Sequence, residues 1–512
     1  MNGAESLVHT LLASNVDTCF ANPGTSEMHF VAALDRVPGM RCILGLFEGV
    51  VTGAADGYAR MAGRPAATLL HCGPGLANGL ANLHNARRAA TPIVNVAGDQ
   101  ATYHRPLDAP LTADTEGWAR GVSGWVRTAT SAMTVGRDAA VAVQAARTAP
   151  GQIATLILPA DTAWNDGGVV AEALPVPQRP RADPHQIRLV ADVLRRGERT
   201  LLLLGDGALT EAALTLAHRI GAHTGAAIMA MGSNGRMARG QGRLSINRIP
   251  YPVDQAVKAL AGFRHVVLVS CRKPVIFFAY PNKPGSPVPD DADVHILARP
   301  EQDPMDALGR LAEELGAPAA SIPDAGPRPG PARGALTPES FAQTLAALLP
   351  EDAVVADEAV TFGRGFFPAT FAAAPHDWLQ VTGGAIGGGM PLATGAAVGA
   401  PGRRVVNLQA DGSAMYTIQA LWTQAREKLD VTTIIFSNRK YQILIGELAN
   451  VGANPGRTAM DMLDLGSPDL DFTGLARSMG VEAARAESCE QFADLFAQST
   501  RAKGPFLIEL PT

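Results

Sequence analysis

The chain alternates short, wholly apolar runs with longer stretches in which apolar residues recur every three or four positions. Residues 66–71, "AATLLH", precede "GLANGLANLHNARRA". Residues 200–205, "TLLLLG", precede "LTEAALTLAHRIG", and "VTTIIFS" (431–437) follows "TIQALWTQAREKL". Short apolar runs bounded by glycine or polar positions predict strands buried on both faces, and the longer pattern predicts amphipathic helices. Such alternation predicts an α/β protein whose parallel sheets are covered by helices. Two proline-rich stretches, "ALPVPQRPRADP" (173–184) and "GAPAASIPDAGPRPGPARGALTP" (316–338), read as linkers. Three doubly wound parallel-sheet domains are therefore expected, over residues 1–172, 185–316 and 338–512. In such sheets ligands sit beyond the carboxyl ends of the strands, so the loops there carry the functional reading.

Composition narrows the class. Of 512 residues 47% are hydrophobic and 5% aromatic, which supports a large aliphatic core and excludes disorder. The 53 glycines and 37 prolines follow no period and serve as loop punctuation. A net charge of −5 with both signs interspersed leaves no basic stripe, so no nucleic-acid partner is expected. The five cysteines are scattered and never form C-x-x-C, against structural zinc or a disulfide framework and in favour of a reducing compartment. Residues 1–20 lack a basic start and a cleavage site, and no apolar run approaches the ~20 residues of a membrane span. A cytoplasmic protein with no membrane partner is expected.

Several loops after predicted strands carry chemistry. In "QADGSAMYTIQALWTQAREKLDVTTIIFSNRKY" (409–441), Asp411 follows one apolar run and Asn438 the next, with a helix expected between them over "AMYTIQALWTQAREK". A carboxylate and an amide oxygen at neighbouring strand ends suit Mg2+, a hard cation that prefers oxygen ligands and phosphate partners. A glycine beside the acid lets a phosphate approach the backbone. The alternative is a helix N-cap and a turn residue. In "FEGVVTGAADGYARMAG" (47–63), Glu48 opens a helix of small residues. Its carboxyl is desolvated for proton chemistry, paired with a base, or satisfied by the helix start. His71, before the glycine-rich turn of "LLHCGPGLANGLANLHNA" (69–86), is an acid/base group or a structural histidine. "NPGTSE" (22–27) lines a pocket or is an ordinary turn. The glycines of "VTGGAIGGGMPLATGAAVGA" (381–400) imply close approach to a ligand or tight helix–sheet packing. "LLLLGDGAL" (201–209) opens like a dinucleotide fingerprint, but Thr210 stands where the third glycine belongs, which argues against NAD or FAD.

Taken together, Glu48, the glycine segment and the Asp411/Asn438 pair, in this order and spacing, resemble thiamine-diphosphate-dependent enzymes of the pyruvate decarboxylase/acetolactate synthase group. Within that group the chain is most similar to benzoylformate decarboxylases. The similarity runs from the first residues to "KGPFLIEL", with a weaker middle third. In the cofactor motif Ala410 replaces the usual first glycine of Gly-Asp-Gly.

The resemblance implies thiamine diphosphate and Mg2+ as cofactors. Asp411, the side chain of Asn438 and the carbonyl of Lys440 would hold the metal. Gly412 and Ser413 would admit the diphosphate to backbone amides, with Thr361 a further contact. Glu48 would hydrogen-bond the pyrimidine N1′, the Gly384 carbonyl would orient the 4′-amino group, and Ile386 would sit beneath the cofactor. His71 matches an active-site histidine, Thr25 a pocket serine, and Asn78 a residue of the following helix.

There are departures. Ala279 in "PVIFFAY" (274–280) replaces a second active-site histidine, and Phe47 stands where many relatives have His. "CGPG" (72–75) and "DAPLTADTEGW" (108–118) lean toward acetolactate synthases, although Thr112 replaces their glutamine. The implied activity is non-oxidative decarboxylation of a 2-oxo acid, with carboligation. The alternatives are an acetolactate-synthase-like carboligase and a non-catalytic paralogue. Cofactor binding between the pyrimidine domain of one subunit and the diphosphate domain of its partner is implied, hence a homo-oligomer built as a dimer of dimers. Residues 443–468 are expected to cover the site.

Overall fold

The apolar runs lie side by side as parallel strands in three sheets of a computed structural model describing residues 1–512. The first sheet runs, in spatial order, Arg41–Leu44, Thr18–Asn22, Ala66–Leu70, Ile93–Asp99, Ile153–Pro159 and Trp125–Thr128. The second runs Asp293–Ala298, His265–Val269, Thr200–Leu204 and Ala227–Ala230. The third runs Glu482–Arg485, Phe506–Pro511, Val431–Ser437, Val405–Ala410, Ala353–Glu358, His376–Gln380 and Met237–Arg239. Inner strands such as Ala66–Leu70, Thr200–Leu204 and Val431–Ser437 are buried along their whole length. Helices on both faces therefore select Val, Ile and Leu at successive positions instead of alternation. Thr210, which breaks the glycine fingerprint, caps the helix Glu211–Thr224 by accepting from the Ala213 N–H.

Two elements depart from the sequence reading. Met237–Arg239, from the middle part of the chain, pairs antiparallel with His376–Gln380 and closes the edge of the third sheet. Arg239 is buried at this edge, its guanidinium lying 3.5 Å from the Phe367 ring centre and 4.9 Å from that of Trp378. Three residues are too few to show a period. The helix expected after Asp411 is also broken, into Asp411–Ala414 and Ala420–Arg426. The interruption presses Tyr416 and Thr417 onto the glycine segment, where Thr417 Oγ1 donates to the Gly387 carbonyl at 2.8 Å.

The first and third sheets meet through two helices rich in small residues, Glu48–Ala62 and Gly389–Gly399. Their backbones touch: a Cβ on Gly57 would sit 2.0 Å from the Leu392 carbonyl oxygen, and one on Gly395 1.8 Å from that of Ala54. That packing sets the start of Glu48's helix beside the glycine segment. No helix is long and apolar enough to cross a membrane.

Candidate active site

Glu48 is the first residue of its helix and is half-buried. Asn78 Nδ2 donates to Glu48 Oε2 at 3.0 Å, and Gly75 lies so close that a Cβ there would sit 3.0 Å from Oε1. Asn82 Nδ2 donates to the carbonyls of Gly49 (2.8 Å) and Gly387 (3.4 Å), tying the start of this helix to the glycine segment. Asn78 thus lies against the Glu48 carboxylate.

His71 immediately precedes the helix Cys72–Arg88, and its ring lies over Gly24, where a Cβ would come within 2.4 Å. His71 Nδ1 is 2.8 Å from Oε2 of Glu27, a fully buried carboxyl that also accepts the Gly24 N–H at 2.7 Å. Burial pushes the Glu27 pKa up against the opposing pull of these partners. Glu27 escaped the sequence reading, although it closes the "NPGTSE" turn. Thr25, from the same turn, is exposed and makes no side-chain hydrogen bond within the chain.

Cys72 carries a left-handed backbone (φ 53°), and its Sγ is 3.3 Å from Ser26 Oγ. Donor atoms of Glu27, His71 and Cys72 lie within 4.8 Å of one another. Burial raises the Cys72 thiol to about 11, so near neutral pH it stays protonated.

The glycine segment is held from both sides. Glu358, fully buried, accepts the N–H groups of Gly387 (2.8 Å) and Gly388 (3.4 Å) on one oxygen. Its other oxygen accepts those of Gly389 (2.8 Å) and the Gln409 amide (2.8 Å). From the opposite side Asn85 donates to the Ala385 carbonyl at 2.8 Å and accepts the Ala385 N–H at 3.1 Å. Gly384 and Gly387 have φ of 79° and 89°, conformations that a side chain would strain. Gly384 is exposed and Ile386 half-buried between these fixed points. Glu358 also escaped the sequence reading: it is the second of two adjacent acids, Asp357 and Glu358, that end the strand Ala353–Glu358, and nothing local marks it out.

At the end of the third sheet Asp411 is 3% exposed, and its partners are backbone N–H groups: Gly412 at 2.8 Å and Arg439 at 2.6 Å. Burial raises its pKa, and these amides, with that of Asn438, oppose the shift. Asn438 Oδ1 accepts the Lys440 N–H at 3.1 Å, and the Lys440 carbonyl accepts that of Gln442 at 2.9 Å. Lys440 is exposed, so its carbonyl keeps a second lone pair for another partner. Gly412 and Ser413 are buried, with Tyr441 where a Gly412 Cβ would be. Thr361 Oγ1 is buried without a partner. A buried carboxylate whose partners are backbone amides, with the Asn438 and Lys440 oxygens on the following turn, has the oxygen-rich character that a Mg2+ ligand set requires.

Residues 1–119 match the thiamine pyrophosphate enzyme N-terminal TPP binding domain, and residues 366–510 match the C-terminal TPP binding domain. The chain is 52% identical to IlvX of Mycobacterium tuberculosis, named as a candidate acetolactate synthase large subunit, over 100% of this chain and 99% of that one. It is 30% identical to benzoylformate decarboxylase of Pseudomonas aeruginosa, over 97% and 96% of the two chains. The solved structure of Rhodococcus jostii RHA1 thiamine diphosphate-dependent 4-hydroxybenzoylformate decarboxylase aligns with a TM-score of 0.85 at 25% identity, covering 100% of this chain and 99% of that one.

Proposed function

This chain belongs to the thiamine-pyrophosphate-dependent enzymes of the decarboxylase/acetolactate synthase group, and from that premise we propose that it is a Mg2+-dependent, non-oxidative decarboxylase of a 2-oxo acid with carboligase activity. The bound cofactor supplies the electron sink that makes loss of CO2 from a 2-oxo acid possible. In this reading Asp411, Asn438 and the Lys440 carbonyl hold Mg2+, while Gly412, Ser413 and Thr361 receive the diphosphate. Glu48, positioned by Asn78, controls the proton on the pyrimidine ring. The Gly384 carbonyl and Ile386 fix the ring's placement, and Glu358 and Asn85 fix that segment in turn.

The observation that carries the choice of decarboxylase is the His71–Glu27 pair at 2.8 Å. Decarboxylation to an aldehyde needs a proton delivered where CO2 has left, and an imidazole hydrogen-bonded to a buried carboxyl is a suitable donor. In this reading Thr25, where the family has a pocket serine, contacts the substrate.

A second reading, acetolactate-synthase-like carboligation of two 2-oxo acids, is favoured by the "CGPG" turn and by the name of the 52%-identical relative. A non-catalytic paralogue is a weaker alternative, given that Glu48, Asp411 and Asn438 are all present. Pyruvate, branched-chain 2-oxo acids and benzoylformate assayed for CO2 and for the second product separate these readings. Aldehyde supports decarboxylation, a 2-hydroxy-3-oxo acid supports the synthase, and no turnover of any supports the paralogue. The working unit is proposed to be a homodimer, doubled into a tetramer.

A further inference from the structure

We propose that His265, His295 and Asp293 form a binding site for Zn2+, in the second sheet and separate from the proposed cofactor site. It is independent of the 2-oxo acid reading. The strands His265–Val269 and Asp293–Ala298 pair in parallel, with His265 opposite Asp293 and Val267 opposite His295. Alternate residues of a strand share a face, so His265, Asp293 and His295 project from the same one. Their side chains converge on a single atom. His265 Nδ1 lies 3.2 Å from His295 Nε2 and 3.7 Å from Asp293 Oδ2. Ligand atoms around a tetrahedral Zn2+, bound at about 2.0–2.1 Å, stand about 3.3 Å apart, so small side-chain shifts admit the ion among these three groups.

The ring of His265 is already oriented. It is buried, and its Nε2 lies 2.9 Å from Glu198 Oε2. A carboxylate on the far nitrogen of an imidazole fixes the tautomer and raises the basicity of a metal-binding histidine. With Nε2–H donated to Glu198, Nδ1 keeps its lone pair, and His295 offers Nε2 by carrying its own proton on Nδ1.

Charge selects the metal. Arg264 Nη2 holds Asp293 Oδ2 at 3.2 Å, and the charge of Arg196 acts on Glu198 and His295. With both carboxylates so balanced, a hard cation such as Mg2+ finds little to attract it, whereas two imidazole nitrogens and one carboxylate oxygen suit Zn2+. Asp293 can keep Arg264 on one oxygen and give the other to the ion. The consequence is structural. Asp293–Ala298 is an edge strand, reached through residues 270–292, which form no helix or strand. An ion held by His265 on one strand and by Asp293 and His295 on the next staples that edge in place.

The test uses the full-length chain loaded with thiamine diphosphate and Mg2+, freed of excess cofactor and titrated with Zn2+ alone. Calorimetry gives affinity and stoichiometry, and thermal melts give the stabilisation that binding confers. Wild type should bind one Zn2+ per chain at this site and melt higher for it. His295→Ala should lose at least about 100-fold in affinity. Asp293→Ala and Glu198→Gln, both at exposed side chains, should lose about tenfold each. His71→Ala, in the other cluster of candidate donor atoms, should bind as wild type does. X-ray absorption at the zinc edge should show imidazole nitrogen at about 2.0–2.1 Å. If His295→Ala does not fold, the two exposed variants decide, and wild-type affinity in both overturns the proposal. So does wild-type affinity in a folded His295→Ala, loss of binding in His71→Ala instead, or no Zn2+ uptake by wild type.

Discussion

His71 Nδ1 sits 2.8 Å from Glu27 Oε2, so an imidazole that solvent reaches is oriented by a carboxyl that solvent does not. Glu27 has little freedom to turn, because the same oxygen accepts the Gly24 N–H and a Cβ on Gly98 would overlap its other oxygen. The His71 Nε2 makes no hydrogen bond within the chain, and in the proposed mechanism it is the atom that would deliver the proton.

His71→Ala should lower kcat about 10²-fold or more, the usual contribution of a positioned proton donor. Glu27→Gln should lower it less, because the ring stays but loses its ionisable partner. The affinity for thiamine diphosphate should be unchanged in both variants. A Glu27→Gln enzyme with the wild-type pH–rate profile would reduce Glu27 to a packing role.

Glu48→Gln should slow exchange of the cofactor C2 proton with solvent by at least about 10²-fold, since the amide cannot take up the proton. Asn78→Ala should give a smaller loss, because it releases one oxygen of Glu48 while leaving the carboxyl in place. Proton exchange followed by NMR separates these effects from later steps, and normal exchange in Glu48→Gln would sink the assigned role.

What was legible in the sequence follows from how each feature is encoded. Fully buried strands write themselves as unbroken runs, so "TLLLLG" and "VTTIIFS" announced parallel sheets. Asp411 and Asn438 were visible because each ends such a strand. Glu27 and Glu358 were not, because their importance lies in contacts across the fold: 44 residues to His71, and 29 to 31 residues to Gly387–Gly389. A carboxylate buried by distant partners has no local pattern. The break after Ala414 escaped notice because Gly387, 30 residues before Thr417, supplies its hydrogen-bond acceptor.

Glu358→Ala should strand three backbone N–H groups in a buried position, at about 1–3 kcal/mol each when left unpaired. The expected outcome is a markedly lower melting temperature and loss of cofactor binding together. Glu358→Gln keeps an acceptor and should recover part of both. Full cofactor affinity in a folded Glu358→Ala protein would show that the glycine segment needs no such anchor.

If the cofactor is shared between subunits, dilution should abolish activity as the dimer dissociates, and added thiamine diphosphate with Mg2+ should oppose that dissociation by mass action. Light scattering beside activity over a dilution series measures both. A fully active monomer would overturn the shared site.

Asp411 offers a pH signature of the metal. Burial raises its folded-state pKa, so the ionised carboxylate is disfavoured in the folded protein relative to the unfolded chain. Without metal, its contribution to stability therefore falls as pH rises from the ordinary carboxylate value, about 4, through the raised folded value, and is constant above it. A bound cation reverses this by neutralising the charge. The rise in melting temperature produced by Mg2+ with thiamine diphosphate should accordingly be full near pH 7 and fade as pH drops toward about 4. Asp411→Asn should remove both the Mg2+ dependence of cofactor binding and this pH dependence, while keeping an acceptor for the Gly412 or Arg439 N–H. Thermal melts with and without Mg2+ across this range, on wild type and variant, decide it. A Mg2+ effect of equal size in both proteins would place the metal elsewhere.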